Sequence, residues 1–153
     1  MKTQYLFYIV AVLLFQVINF EIQAQAPEFV WAKRAGGTEG DAASRITVDA
    51  NDNSYITGIF RGTVSFGTIE LTSSGSTDIF VAKYDASGNV LWAKQAGGQD
   101  IDSGKNIAVD SSGNSYITGE FQGKATFGNI TLTSTSSMPD IFLARYDASG
   151  NVD

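Results

Sequence analysis

The chain has 153 residues, room for about one domain, with no cysteine, no histidine and a net charge of −6. Without cysteine there is no disulfide framework and no thiol for a lipid anchor, and without histidine there is neither a Ser-His-Asp triad nor a His-based zinc site. The acidic balance, with Lys and Arg scattered, argues against nucleic acid and anionic membrane surfaces, which attract clustered positive charge.

The N-terminus reads as a secretory signal over residues 1–24. Lys2 precedes an apolar run from Tyr5 to Phe20, interrupted only by Gln16 and Asn19, and the small residues Ala24 and Ala26 follow just before Pro27. The run is short and polar-spotted for a membrane span, and cleavage is expected after Ala24, because cutting after Ala26 would put Pro27 directly behind the scissile bond. Export implies a free secreted chain, extracellular, cell-surface or periplasmic, with no membrane insertion after cleavage.

Residues 25–153 are a tandem duplication. Trp31-Ala-Lys-Arg-Ala-Gly-Gly37 falls on Trp92-Ala-Lys-Gln-Ala-Gly-Gly98 at an offset of 61, and Ile46-Thr-Val-Asp49 falls on Ile107-Ala-Val-Asp110. Asn53-Ser-Tyr-Ile-Thr-Gly58 then falls on Asn114-Ser-Tyr-Ile-Thr-Gly119, and after one inserted residue near Met138 Asp78-Ile-Phe80 meets Asp140-Ile-Phe142. Repeats of this length are structural units that stack. The two run over about 31–91 and 92–153, the second without its last strand.

Within a unit the runs are short, β-branched and aromatic, and bounded by Gly, Asn, Asp and Ser. Strands are expected at about 45–49, 53–60, 78–84 and 90–96, with a looser excursion carrying Val64 to Phe66 and Ile69 to Leu71. Helical periodicity is absent after the signal. The strings Asp49 to Asn53, Asp85 to Asn89, Asp110 to Asn114 and Asp147 to Asn151 are expected to be turns joining antiparallel strands. Their Asp accepts from backbone N–H groups further on, and Gly88 supplies a positive φ. In the run 78–84, Phe80, Ala82 and Tyr84 share one face and Ile79 and Val81 the other, so the sheet is apolar on both sides and wants a sheet against each.

Together, Trp-Ala-Lys-x-Ala-Gly-Gly, Ile-x-Val-Asp-x-x-x-Asn-Ser-Tyr-Ile-Thr-Gly, Phe-Gly and Asp-Ile-Phe-x-Ala-[Lys/Arg]-Tyr-Asp-Ala-Ser-Gly-Asn resemble the SBBP β-propeller repeat of secreted and surface proteins, over about residues 29–153. The resemblance implies an all-β fold of tandem four-stranded antiparallel blades forming an incomplete propeller. It carries no catalytic motif and implies no cofactor. Family proteins usually carry more repeats, so this chain reads as a piece of a longer protein or as a self-associating one, the strand of Trp31 from one copy completing the cut blade of the next. A closed ring takes roughly four to eight blades.

Several residues are candidates for chemistry. Asp49, Asn51 and Asn53 have the spacing that opens a calcium loop, but the other copy reads Asp110, Ser112, Asn114, and neither has the Gly at the sixth place or the Glu at the twelfth; a plain turn accounts for both. Glu39 with Asp41, and Asp100 with Asp102, could ring a cation or serve a glycoside hydrolase, though duplicated carboxylates lack the two unequal environments that acid–base work needs. Solvated link residues, with Asp41 and Asp102 capping, are the simpler account. Tyr55, Phe60, Phe66, Tyr84 and Trp92, with their copies Tyr116, Phe121, Phe127, Tyr146 and Trp31, read as core filling rather than sugar platforms. The differing pairs Arg45/Asn106, Ile59/Glu120 and Arg61/Gln122 read as exposed positions free to vary. The resulting expectation is a non-enzymatic secreted module with a structural role or an unknown protein or glycan partner. A carbohydrate- or calcium-dependent binding propeller is the alternative, and a glycan-active enzyme the more distant one.

Overall fold

The computed structural model describes residues 30–152, so the secretory segment expected at 1–24 lies outside it. The described residues are all-β. The strands are β1 (Ala35–Gly37), β2 (Ala42–Val48), β3 (Ser54–Phe60), β4 (Thr63–Phe66), β5 (Ile69–Thr72), β6 (Asp78–Tyr84), β7 (Val90–Gly97), β8 (Ser103–Val109), β9 (Ser115–Phe121), β10 (Lys124–Phe127), β11 (Ile130–Thr133) and β12 (Asp140–Tyr146). Every pairing between strands is antiparallel.

β2, β3, β6 and β7 lie side by side as one four-stranded blade, and β8, β9 and β12 repeat the first three of these in the second unit. The sheets are open, which is the architecture of an incomplete propeller. The turns stand where the Asp-x-x-x-Asn strings place them. In each of the four the Asp N–H bonds the Asn carbonyl, as in Asp85 N to Asn89 O at 2.9 Å. Gly88, Gly113 and Gly150 take φ of 74°, 79° and 82°, and in the remaining copy Asp52 takes φ 60°, a conformation that short polar side chains tolerate best after glycine. Both innermost strands carry a bulge at the same place, between Ala43 and Arg45 and between Gly104 and Asn106.

The excursion between the second and third strands is not loose. In each unit it is a regular hairpin, β4–β5 and β10–β11, and it reaches back to the strand that precedes the unit. β10 pairs with the end of β7 through Phe127↔Ala96 and Thr126↔Gly97, as β4 pairs with β1 through Phe66↔Ala35 and Gly36↔Ser65. The first blade is thereby widened to a six-stranded sheet in the order β11-β10-β7-β6-β3-β2. Sequence reasoning underrated this segment because runs of four residues separated by Gly-Thr or Gly-Asn give too little alternation to stand out.

The two faces of the first blade fill two cores. Tyr55, Ile79, Val81, Trp92 and Ala96 pack against Ile107, Ile117, Phe121, Phe142 and Tyr146 of the second unit, with Phe127 of its hairpin. Phe60, Phe66, Phe80, Ala82 and Ala93 make the core on the opposite side, with Ile56, Ile69 and Tyr84 against it. The split of Ile79 and Val81 from Phe80 and Ala82 follows the period of two along β6.

Candidate functional site

The polar groups that the repeat places are its turn aspartates and the carboxyls at its Gly-Gly links, and some of them meet at the junction of the two blades. The Asp of each turn is turned inward on its own loop. Asp49 Oδ1 accepts from Asn51 N and Asn53 N at 2.9 and 3.0 Å, and Oδ2 from the Asn53 amide at 2.9 Å and Tyr55 Oη at 3.2 Å. Burial works against the charged form of Asp49, but the Asn53 amide, the two backbone N–H groups and the Tyr55 hydroxyl outweigh it and hold the carboxyl below its ordinary range. Asp85, Asp110 and Asp147 are lowered too, led by the Asn89 amide, the Asn114 amide and the Asn151 backbone N–H respectively. The calcium-like spacing at Asp49, Asn51 and Asn53 therefore serves a turn in which Asp49 and Asn53 bond each other.

Tyr55 links that turn to the next blade. Its hydroxyl lies 3.3 Å from the Gly113 carbonyl as well as near Asp49, and burial, the Asp49 hydrogen bond and the charges of Asp49 and Asp110 push its pKa up to about 12. Trp92 stands between blades in the same way. Its indole donates to Ala148 O at 3.1 Å, with its ring edge-on to Tyr55 at 6.2 Å and stacked on Tyr146 at 6.5 Å. Lys83 Nζ sits over the Tyr55 ring, 4.9 Å from its centroid. Trp31 repeats the Trp92 bond upon the first blade, donating to Ala86 O at 3.0 Å. These rings fill and tie the junction; Tyr116 and Trp31, at 37% and 39% exposure, are the two that remain open.

Asp41 and Asp102 do cap the Gly-Gly links, accepting from Gly37 N and Gly98 N at 2.7 Å each. Asp102 is not solvated, however: it is fully buried, and a methyl on Gly97 would lie 2.8 Å from its Oδ2 and 3.2 Å from Oδ1 of Asp78. Two buried carboxyls thus flank one glycine. Asp78 accepts from Ser74 N at 3.0 Å and from the Gln95 amide, leaving Oδ1 buried and without a partner. Burial raises its pKa against those hydrogen bonds. Asp102 is raised by burial above all and by the charges of Asp78 and Asp100, against the N–H groups of Gly98 and Gln122. Sequence reasoning missed Asp78 as a partner, treating Asp-Ile-Phe only as a point of alignment. The readable signal was the Gly-Gly pair, whose first glycine leaves room for both carboxyls and whose second leaves room for the Lys124 carbonyl.

The differing positions are also less free than expected. Arg45 Nε donates to Asn106 Oδ1 at 3.1 Å, so residues that correspond between units meet across the junction. Arg61 Nε bonds Thr77 Oγ1 at 3.0 Å. Among the described residues no group of three or more Asp or Glu is placed to hold a metal ion. Asp78 and Asp102 are both buried, and neither presents its carboxyl to solvent. An apolar groove of about 260 Å³ lies beside Trp31 on the outer side of the first blade, walled by Ile46, Ile56, Phe66, Phe80 and Tyr84.

Comparison with known proteins agrees with this architecture. Residues 91–120 match the SBBP family model, described as a beta-propeller repeat. The chain is 29% identical over 114 residues to the uncharacterized WD repeat-containing protein L264 of Acanthamoeba polyphaga mimivirus, covering 63% of this chain and 8% of that protein. It is 38% identical over 80 residues to the regulatory protein FlaEY of Caulobacter vibrioides, covering 50% of this chain and 8% of the relative. The chain therefore corresponds to a small part of either relative's length.

Proposed function

We propose that the chain acts as an exported, non-enzymatic propeller-repeat module whose blades present a rigid surface to a protein or glycan partner. The observation that carries this reading is the engagement of its recurrent carboxyls. The turn aspartates are spent on their own loops, and Asp78 and Asp102 are sealed from solvent. Catalysis by paired carboxyls requires two that reach one substrate in different protonation states. Part of a regulatory protein and part of a WD-repeat protein resemble this chain, which suits a scaffold. Export rests on the layout of residues 1–24.

The test has two arms. Mass spectrometry of the secreted product is expected to find Gln25 at the N-terminus. Incubation with a panel of polysaccharides is expected to release no reducing ends; turnover abolished by Asp41→Asn but not by Asp102→Asn would overturn the non-enzymatic reading. A melting temperature raised by calcium or by one glycan would replace it with a ligand-dependent binding propeller.

A further inference from the structure

The link between the two units sets one carboxyl from each beside the other. Thr77 and Ile101 form a parallel bridge, and Asp102 N donates to Thr77 O at 2.8 Å. Residues that follow a bridged parallel pair stand side by side on one face. Asp78, which opens β6, and Asp102, just before β8, are therefore neighbours. Both are fully buried, and both close on Gly97: a methyl there would lie 2.8 Å from Asp102 Oδ2, 2.9 Å from Asp78 Cγ and 3.2 Å from Asp78 Oδ1.

Three of the four oxygens have donors. Asp102 Oδ2 accepts from Gly98 N at 2.7 Å and Oδ1 from Gln122 N at 3.2 Å, while Asp78 Oδ2 accepts from Ser74 N and the Gln95 amide. Asp78 Oδ1 is buried and has none. An orphaned buried acceptor is costly, and two adjacent buried carboxyls resist ionising together. A cation would relieve both, but hard cations take about six to eight oxygen ligands; here one oxygen is free, in a space too tight for a methyl. Basic side chains do not answer the need either. Arg61, on the loop after β3, is bonded to Thr77 Oγ1, Lys94 lies on the face of β7 opposite Gln95, and Lys124 of β10 is exposed. The charges that act on Asp102 are those of Asp78 and Asp100, both negative.

We infer that Asp78 and Asp102 share one proton, carried on Asp78 Oδ1 and donated to the Asp102 carboxylate, and that this proton is a pH-sensitive latch between the two units. Its loss to solvent leaves two carboxylates side by side on the very segments, Thr77-Asp78 and Ile101-Asp102, whose backbones join the units. Burial raises both carboxyls, and a coupled pair gives up its protons in two steps. Once pH passes the ordinary carboxylate range, opening the junction releases the shared proton. Opening therefore increases about tenfold per pH unit from that range up to the value at which the closed pair ionises. Acid closes the latch, and rising pH loosens it.

The two carboxyls are not interchangeable in the test. Asp78→Asn puts a permanent N–H donor where the proton sits and keeps an oxygen for Ser74 and Gln95. Asp102→Asn instead turns an amide toward the N–H of Gly98 or Gln122, each of which needs an acceptor. An infrared pH titration of the whole chain is expected to show one protonated carboxyl that persists after the others have ionised, and that is missing from Asp78→Asn. Amide exchange at Asp102 N, taken as the ratio of parent to Asp78→Asn at each pH, is expected to climb about tenfold per pH unit over the same window. Asp102→Asn is expected to protect that amide less than Asp78→Asn does at every pH. Carboxyls that all ionise together, or an exchange ratio flat with pH, would overturn the shared proton. A persistent signal abolished by calcium or sodium, with a raised melting temperature, would overturn it in favour of a cation. The parent's own infrared titration decides the matter even where a variant fails to fold.

Discussion

Val81 and Leu143 hold the same place in their units, yet the first is fully buried and the second 69% exposed. Tyr55 and Tyr116 differ likewise, at 0% and 37%. The sequence around each is nearly the same, so the difference comes from neighbours: the first unit has the second lying on its distal face, and nothing among the described residues lies on the second unit's distal face. In a repeat protein burial is a property of the stack, and identical residues carry unequal shares of the stability.

The largest test of this inequality is a charge placed at each position. Val81→Asp puts an unpaired carboxylate between blades and is expected to cost at least about 3 kcal/mol, enough to unfold a marginal domain. Leu143→Asp is expected to change stability by no more than about 0.5 kcal/mol. Urea midpoints decide it, and equal losses would mean that the blades do not stack as described.

The turn glycines are expected to behave alike in the two units, which sharpens the comparison by showing what does not depend on stacking order. Gly88 has φ 74° with Trp31 Cδ2 2.7 Å from the site of a methyl, and Gly150 has φ 82° with Trp92 Cδ2 at 2.8 Å. Gly88→Val and Gly150→Val should each cost about 1–3 kcal/mol, against little for Ser87→Ala, whose side chain is exposed. Thermal melts of the three variants give the comparison.

The buried carboxyls predict a smaller, pH-dependent difference. The pKa of Asp78 and of Asp102 is raised in the folded chain. Their contribution is whole below the ordinary carboxylate range and is lost as pH rises through the raised values. The turn aspartates, lowered in the folded chain, act oppositely, and their contribution is lost on acidification. Asp78→Asn is therefore expected to raise the denaturation midpoint at neutral pH and to flatten its decline between the ordinary carboxylate range and the raised pKa. Asp140→Asn, at the half-buried counterpart, should leave the neutral-pH midpoint little changed. A fall in the Asp78→Asn midpoint at neutral pH would show that the hydrogen bonds from Ser74 N and the Gln95 amide outweigh the cost of burying the carboxylate.

The smallest effect is at Asp52. Relieving its φ of 60° by Asp52→Gly is expected to stabilise by a few tenths of a kcal/mol to about 1 kcal/mol, the difference between the strain relieved and the extra freedom of glycine when unfolded. Calorimetry against the same melt of the parent chain would detect it, and a loss instead would mean that the Asp52 side chain contributes more than its backbone costs.

The turns, the strand faces and the two-sided core were legible because each depends on residues close together in sequence: Asp85 and Asn89, or Phe80 beside Val81. What was not legible depends on distance. The hairpin β10–β11 looks like a loop until Phe127 meets Ala96, and Asp102 looks solvated until Asp78 is brought alongside Gly97. Arg45 and Asn106 differ, and difference reads as freedom when the two are aligned rather than placed in contact. The repeat that made the fold readable hid the junction, since alignment sets corresponding residues above one another while stacking sets them face to face.

The pairing of β10 with β7 has a consequence for the order in which the chain becomes stable. Phe127 and Thr126 bond the end of a strand laid down some thirty residues earlier, and the distal face of that strand's blade is roofed by Ile107, Ile117 and Phe142. While the chain is synthesised from its N-terminus, the first blade has neither its widened sheet nor its roof until the second unit has emerged. Domains ordinarily fold as units during synthesis; here the earlier unit waits on the later one. Under the export proposed above, a leading half held short of stability would be kept in the form that passage of an unfolded chain across a membrane requires.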